Sequence, residues 1–366
     1  MAQSSVTLFG TVDVGVQNAS QGGVSKTQMS HSGTSSSALG FKGTEDLGSG
    51  MSASFHFEGT VAVQNGNAAG LAFTRRSTLD LAGAFGAVRL GRDYTPTFWN
   101  HTVYDPFGTV GSGAGSDTSL GWNASGANAL TAARTNNGVS YLYNFANNSG
   151  SAVGNQGVTV QLTYALPGNL STGIANGKYT GGRVGYNAGP LTLAAAYSES
   201  NAGTAAQLGS NFSATVGGVT FAGITPATNV TYKETNIAGS YDLGVANLMG
   251  KWGTNDSSVA NTKQTFWSIG AKVPAGPGYI PVSFNSVSQN NTAKTGADKF
   301  AIGYVYNLSP RTALYGTYAK IDNKNNGQYT FMGGNGGFTP ALNGGAAAPT
   351  PGADGTAYDF GIRHNF

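Results

Sequence analysis

The chain has 366 residues, including 57 glycines and no cysteine, and only 10% are charged, for a formal net charge of +3. Soluble domains are typically about 25% charged, so this balance argues against an ordinary soluble enzyme, a coiled coil or a highly charged disordered chain. Without cysteine there is no disulfide framework or zinc-thiolate cluster, and without a Lys/Arg run there is no means of neutralising a phosphate backbone, so no nucleic-acid partner is expected. No stretch approaches the ~18 apolar residues of a helical membrane span. Residues 1–18 lack the basic and apolar regions of a signal peptide. Met1 reads as an added start and Ala2-Gln3 as a former cleavage site, so export is expected.

The signal that does run along the chain has a period of two. In the first segment Val6, Leu8, Val12 and Val14 share one face while Thr7, Thr11 and Asp13 share the other, the pattern of a half-polar strand. Phe55 and Phe57 alternate with Ser54, His56 and Glu58. The split recurs at Val158 to Tyr164, Leu191 to Tyr197, Trp267 to Val273 and Phe300 to Tyr306, and finally where Tyr358, Phe360, Ile362 and Phe366 alternate with Asp359, Gly361, Arg363 and Asn365.

Connections alternate in length. Short ones carry Gly, Pro, Asn or Asp, as in residues 46–50, 83–86, 187–190, 242–244, 274–278 and 307–310. Long ones, at 17–36, 94–136, 201–230 and 323–355, are rich in Gly, Ser, Asn and Ala. This rhythm predicts sixteen strands, beginning near residues 5, 37, 51, 74, 86, 138, 158, 178, 190, 231, 245, 262, 279, 298, 312 and 356. Even-numbered antiparallel strands of bilayer-crossing length, with turns at one end and loops at the other, predict an all-β, 16-stranded antiparallel transmembrane β-barrel of the outer-membrane type. Closure is required because lipid offers no partner to an edge strand. Sixteen strands enclose a lumen too wide for side chains to fill, so water fills it and solutes can pass.

Permeation needs no catalyst; the relevant chemistry is the charge and width of the narrowest section. If Leu39 and Phe41 face lipid, Lys42 faces the lumen, and Phe55 and Phe57 likewise turn His56 and Glu58 inward. Arg134 precedes the strand at 139–144. The parity of Arg75 and Arg76 is ambiguous: outward Leu79 and Leu81 turn Arg76 inward and Arg75 outward, unless a bulge at the rim reverses them. The third loop carries Asp105 and Asp117. Its Phe98, Trp99, Tyr104 and Phe107 read either as an aromatic rail for solutes or, more simply, as packing against the wall. Enzyme signatures are missing: His31, His56, His101 and His364 are scattered, with neither a His-Glu-x-x-His nor a Gly-x-Ser-x-Gly motif. A serine hydrolase would need a partner for one histidine that the sequence does not identify. No cofactor or metal is expected.

Four blocks carry a family resemblance: Gln3 to Gly10, Leu39 to Gly48, Leu90 to Pro96, and Gly361 to Phe366 with its terminal aromatic. Together they make the chain resemble a Gram-negative general porin of the betaproteobacterial type. The resemblance implies a single barrel domain over residues 3–366, a homotrimer in outer-membrane lipid and lipopolysaccharide, and a third loop folded into each pore. It implies passage of small hydrophilic solutes and ions, and insertion by the outer-membrane assembly machinery with Phe366 as signal. By motif position Arg75 and Arg134 match two of the family's three constriction arginines, which ranks Arg75 above Arg76, while Ala38 stands where the third would be. Glu58, Asp105 and, less closely, Asp117 match the acidic side. The missing arginine reduces the implied selectivity to a mild anion preference, with Lys42 reaching partly into the gap. The alternatives are a channel tuned to a nutrient anion or aromatic acid, and a surface receptor or adhesin barrel.

Overall fold

The computed structural model describes residues 5–66, 70–119, 133–146, 156–167, 177–202, 213–216, 219–222, 230–258, 262–290, 294–331 and 350–366. The chain opens with β1 (Ser5–Gln21), β2 (Val24–His31), β3 (Ala38–Gly48), β4 (Met51–Thr60), β5 (Arg76–Gly83) and β6 (Gly86–Tyr94). Two helices, α1 (Pro96–Val103) and α2 (Ser116–Ser119), follow. Then come β7 (Arg134–Asn144), β8 (Gly157–Ala165), β9 (Tyr179–Ala188), β10 (Leu191–Ala202) and a separate hairpin, β11 (Ser213–Val216) with β12 (Val219–Ala222). The remainder is β13 (Val230–Asp242), β14 (Asn247–Ser257), β15 (Thr262–Ala275), β16 (Gly278–Gln289), β17 (Gly296–Asn307), β18 (Thr312–Lys324) and β19 (Gly355–Asn365).

The pairings are antiparallel, and seventeen strands join one sheet; with β2, which pairs only with Val14 to Gln21 of β1, taken as an extension, they close a barrel of sixteen strands. Closure falls between β1 and β19, where Thr11 lies opposite Asn365 and Gln21 opposite Gly355. Gly10 and Phe366 exchange both backbone hydrogen bonds, each at 3.0 Å, and seal the seam at its lower end. Every barrel strand begins within a few residues of its sequence-based expectation, because each must show hydrocarbon one face and water the other. Leu8, Leu79, Leu162, Ile269 and Phe360 project outward and are more than half exposed, while Thr78, Gln161, Ser268 and Asp359, on the opposite parity, are buried inside. At the short turns, Asp46 and Asp242 each accept a hydrogen bond at 2.8 Å from a glycine two residues on, Gly48 and Gly244, whose positive φ values of 82° and 78° suit glycine.

Three stretches expected to be loop contain regular structure. Residues 17–36 are largely strand: β1 continues to Gln21 and returns through β2, which pairs with Val14 to Gln21 just above the segment that pairs with β3. Polar side chains clasp this extension, Asn18 to Thr27 at 2.7 Å and Gln28 to Gln17 at 3.0 Å. A largely polar ribbon offers no clear hydrophobic period to read. In the third loop, α1 begins at a Thr95 cap whose side chain accepts from the Phe98 N–H, with Pro96 in the first turn, and β7 begins at Arg134 rather than near 138. The hairpin of β11 and β12 lies within 201–230. Residues 1–4, 120–132 of the third loop and 332–349 of the last loop lie outside the described residues.

Candidate functional site: the pore constriction

The expected constriction residues Glu58, Arg75 and Arg134 meet at adjoining ends of β4 to β7. Tyr94 ends β6 opposite Arg134, the first residue of β7. Arg134 lays its guanidinium 4.4 Å from the centroid of the Tyr94 ring, and its Nη2 donates to the Tyr94 hydroxyl at 3.0 Å. The same hydroxyl accepts from Arg75 Nη2 at 3.3 Å, while Arg134 Nε donates to the Arg75 carbonyl at 2.8 Å. Arg75 Nε is ion-paired with Glu58, which His56 also approaches at 3.3 Å. Three charges, two positive and one negative, thus converge around one tyrosine.

The parity conflict resolves at the rim. Arg75 precedes the first regular residue of β5, its N–H bonded to the Glu58 carbonyl at 3.0 Å, so it is free of the strict alternation, and both Arg75 and Arg76 turn inward. Their roles differ. Arg76 stands 3.7 Å from both Asp80 and Asp93, beside Arg89, which bonds Asp80 and Asp93 at 2.7 Å each. That quartet is compensated internally. Lys42 lies across from His56 in the β3–β4 pairing, its ammonium 5.4 Å from the Phe9 ring, and is exposed.

The described part of the third loop, residues 95–119, is bonded along its length to inward-facing residues of the wall. Asn100 joins Arg183 and Asn236 at 2.7 Å each. Ser112 binds the Asp359 carboxylate through its N–H at 2.6 Å and its hydroxyl at 2.8 Å, and Gln17 donates to Ser112 at 2.9 Å. The two expected loop acids are buried and ion-paired. Asp105, 2% exposed, pairs with Lys251 at 2.9 Å and accepts the Phe107 and Gly115 N–H groups at 3.0 Å each. Asp117, 3% exposed, pairs with Lys299. Each acid is neutralised by a wall lysine and fastens the loop. Phe98, Tyr104 and Phe107 are buried against the wall, leaving Trp99 partly exposed beside Tyr94.

His101 gains partners that the sequence could not supply: its Nε2 lies 2.6 Å from Glu234 and its Nδ1 3.1 Å from the Ser119 hydroxyl. The order Ser–His–Glu has the outline of a nucleophilic triad. All three are buried, His101 completely and Ser119 2% exposed, so the set ties α1 and α2 to β13.

Between wall and loop remains a cavity of about 270 Å³ lined by Glu58, Arg75 and Tyr94 on one side and Thr102 with Gly108 to Val110 on the other. Thr34, Ser35, Ser36 and Ala38 line it too, as do Phe9, Gly10 and Thr11. That hydroxyl-bearing segment between β2 and β3 is held by Asp13, whose carboxylate accepts from Gly33, Thr34 and Ser35 N–H groups at 2.8 to 3.0 Å and from Tyr315 at 2.7 Å. Where the segment meets the loop tip, a Cβ on Gly111 would lie 1.9 Å from the Gly33 carbonyl oxygen, so the backbones touch. Tyr94, Lys251 and Lys299 were missed as site residues. Tyr94 sits inside the Leu90 to Pro96 block, and an inward lysine on a strand was the available signal for the other two.

A closed barrel with a lipid-matched exterior, a polar interior and a loop fixed across the middle defines a channel-forming protein of the outer-membrane type. A family model described as a Gram-negative porin matches residues 1–326, and the chain belongs to that family. It is 36% identical over 332 residues to outer membrane porin protein 32 of Delftia acidovorans, covering 88% of this chain and 86% of the relative. An anion-selective porin from Comamonas acidovorans superposes with a TM-score of 0.79 at 32% identity over all of both chains. OmpT of Vibrio cholerae in its trimer form shares the fold, with a TM-score of 0.67 at 15% identity over 99% of each chain. The protein is therefore a porin of the bacterial outer membrane, forming a water-filled channel.

Proposed function

We propose that this porin is a single-domain barrel that passes small hydrophilic solutes and ions by passive diffusion, with a mild preference for anions and no catalytic step. One observation carries the preference. Among the described residues around the proposed constriction, Arg75 is ion-paired with Glu58 and Arg134 has no ion pair, while Asp105 and Asp117 are each committed to a buried lysine. One uncompensated positive charge stands where a passing ion has least water to screen it. Lys42 adds a second cation nearby, and the compensated Arg76 adds none. The relative named as anion-selective supports this reading. The assembly we propose is a homotrimer in outer-membrane lipid and lipopolysaccharide, inserted by machinery that reads Phe366; the trimer form of OmpT, an outer-membrane protein sharing this fold, is consistent with it.

Planar-bilayer recording tests the whole reading. A salt gradient should give a zero-current potential of the anion-selective sign, and single channels should close in three equal steps. A cation-selective sign would remove the proposed role of the arginines, and single-step closure would remove the trimer.

A further inference from the structure

On the turn side of the third loop, two lumen-facing cations, Lys272 and Arg363, form no ion pair among the described residues. The loop meets β15 and β17 at glycines: a Cβ on Gly270 would lie 2.6 Å from Pro106 Cγ, and one on Gly303 3.4 Å from the Phe107 ring. Next along the same inward faces, toward the short turns, come Lys272 on β15 and Val305 on β17. Lys272 holds its ammonium 5.8 Å from the Tyr279 ring centroid. Arg363 enters from β19, on the parity opposite to the outward Phe360 and Ile362. The wall between the two is packed and apolar: Val305, the cross-strand partner of Tyr279, clusters with Ala313, the partner of Arg363, and with Tyr315. Lys272 and Arg363 are close enough to feel each other's charge.

The acid that faces Arg363 is already engaged. Asp13 lies opposite it in the β1–β19 register, yet its carboxylate accepts the Gly33, Thr34 and Ser35 N–H groups and the hydroxyls of Thr34 and Tyr315. Three glycines make room for that tyrosine: a Cβ on Gly15, Gly33 or Gly361 would lie 2.8, 2.2 or 2.2 Å from its hydroxyl. Asp105, whose charge also reaches Lys272, is paired with Lys251. Arg363 Nε is buried and has no hydrogen-bond acceptor. A charged donor left unmatched in a folded wall is costly, so the chain presents a site that an arriving acceptor completes.

We propose that Lys272 and Arg363 form a second anion station, on the turn side of the third loop, that holds a doubly charged oxyanion of the phosphate type on its way through the channel. The lysine supplies a point charge and the arginine a planar fork of N–H donors, the pairing suited to two negative oxygens of one solute. This inference rests on the water-filled channel and is independent of the charge balance at Tyr94.

Inorganic phosphate in alkaline buffer, where it carries two charges, is the probe. In planar bilayers it should reduce the single-channel chloride current saturably, and singly charged acetate at the same concentration should not. Lys272→Gln and Arg363→Gln should each raise the half-blocking concentration about tenfold, the worth of one charge-assisted hydrogen bond. Lys272 lies on β15, away from the β1–β19 seam, so its variant decides even where Arg363→Gln assembles poorly. Arg134→Gln should move the zero-current potential in KCl yet keep the phosphate block, which lets the constriction reading and this one fail separately. No block in the wild type, equal block by acetate, undiminished block in Lys272→Gln, or loss of block in Arg134→Gln would each overturn the proposal.

Discussion

The charge balance around Tyr94 yields a graded prediction. Arg75, Arg134 and Glu58 sum to one positive charge. An ion passing about 6 Å from it exchanges about 0.7 kcal/mol at the dielectric of water, reduced to about 0.3 kcal/mol by a Debye length of about 8 Å. Because anions gain what cations lose, the difference is about 0.7 kcal/mol, or roughly threefold in permeability. In a tenfold KCl gradient that corresponds to a zero-current potential of about 20 mV of the anion-selective sign. Glu58→Gln adds a charge and should raise this to about 40 mV, Arg134→Gln should bring it near zero, and Arg75→Gln/Arg134→Gln should invert it to about 20 mV of the cation-selective sign. Raising the salt should compress the whole series. A potential that moves by less than about 5 mV across the four proteins, against the steps worked here, would show that these residues do not set the field at the narrowest point.

Lys251→Met strands the Asp105 carboxylate and should cost about 3–5 kcal/mol, read as a lower unfolding temperature and noisier open-channel current; adding Asp105→Asn should recover most of the loss. Equal stability of the single and double variants would show that the pair does not fasten the loop. Ala38→Arg fills part of the constriction cavity and supplies another cation, so it should lower conductance and strengthen anion selectivity together; a rise in conductance would contradict the cavity's position in the pore. Deleting Phe366 removes both bonds to Gly10 and should cut the yield of folded, heat-modifiable barrel on gels, with normal yield as the contrary result. Asp13→Ala frees the Ser32–Ser36 segment from its buried acceptor and should reduce stability by about 1–3 kcal/mol for the donors left unsatisfied, measured by denaturant unfolding from detergent.

How much of this was legible depended on which solvent each segment meets. Strands such as β17, where Phe300, Ile302 and Tyr304 face outward, lie between hydrocarbon and water, and that contrast writes a period of two into the sequence. The β2 extension carries few apolar residues, and nothing in its pattern distinguished it from loop. Arg134, at the head of a strand, could be found by motif position. Arg75 carried a parity conflict that only the irregular step before β5 resolves. Asp105 and Asp117 were visible as acids, but whether a loop acid faces water or a lysine depends on which wall the loop lies against. Lys251 and Lys299 are 146 and 182 residues away from them in the chain.

The seam between β1 and β19 imposes an order on the protein's making. Thr11 bonds to Asn365 across 354 residues, so β1 must wait for β19, made much later, before that edge is paired. Throughout export its polar edge stands open, inviting association with any extended chain it meets. The time the newborn chain spends with that edge unmatched grows with every residue inserted between the two strands.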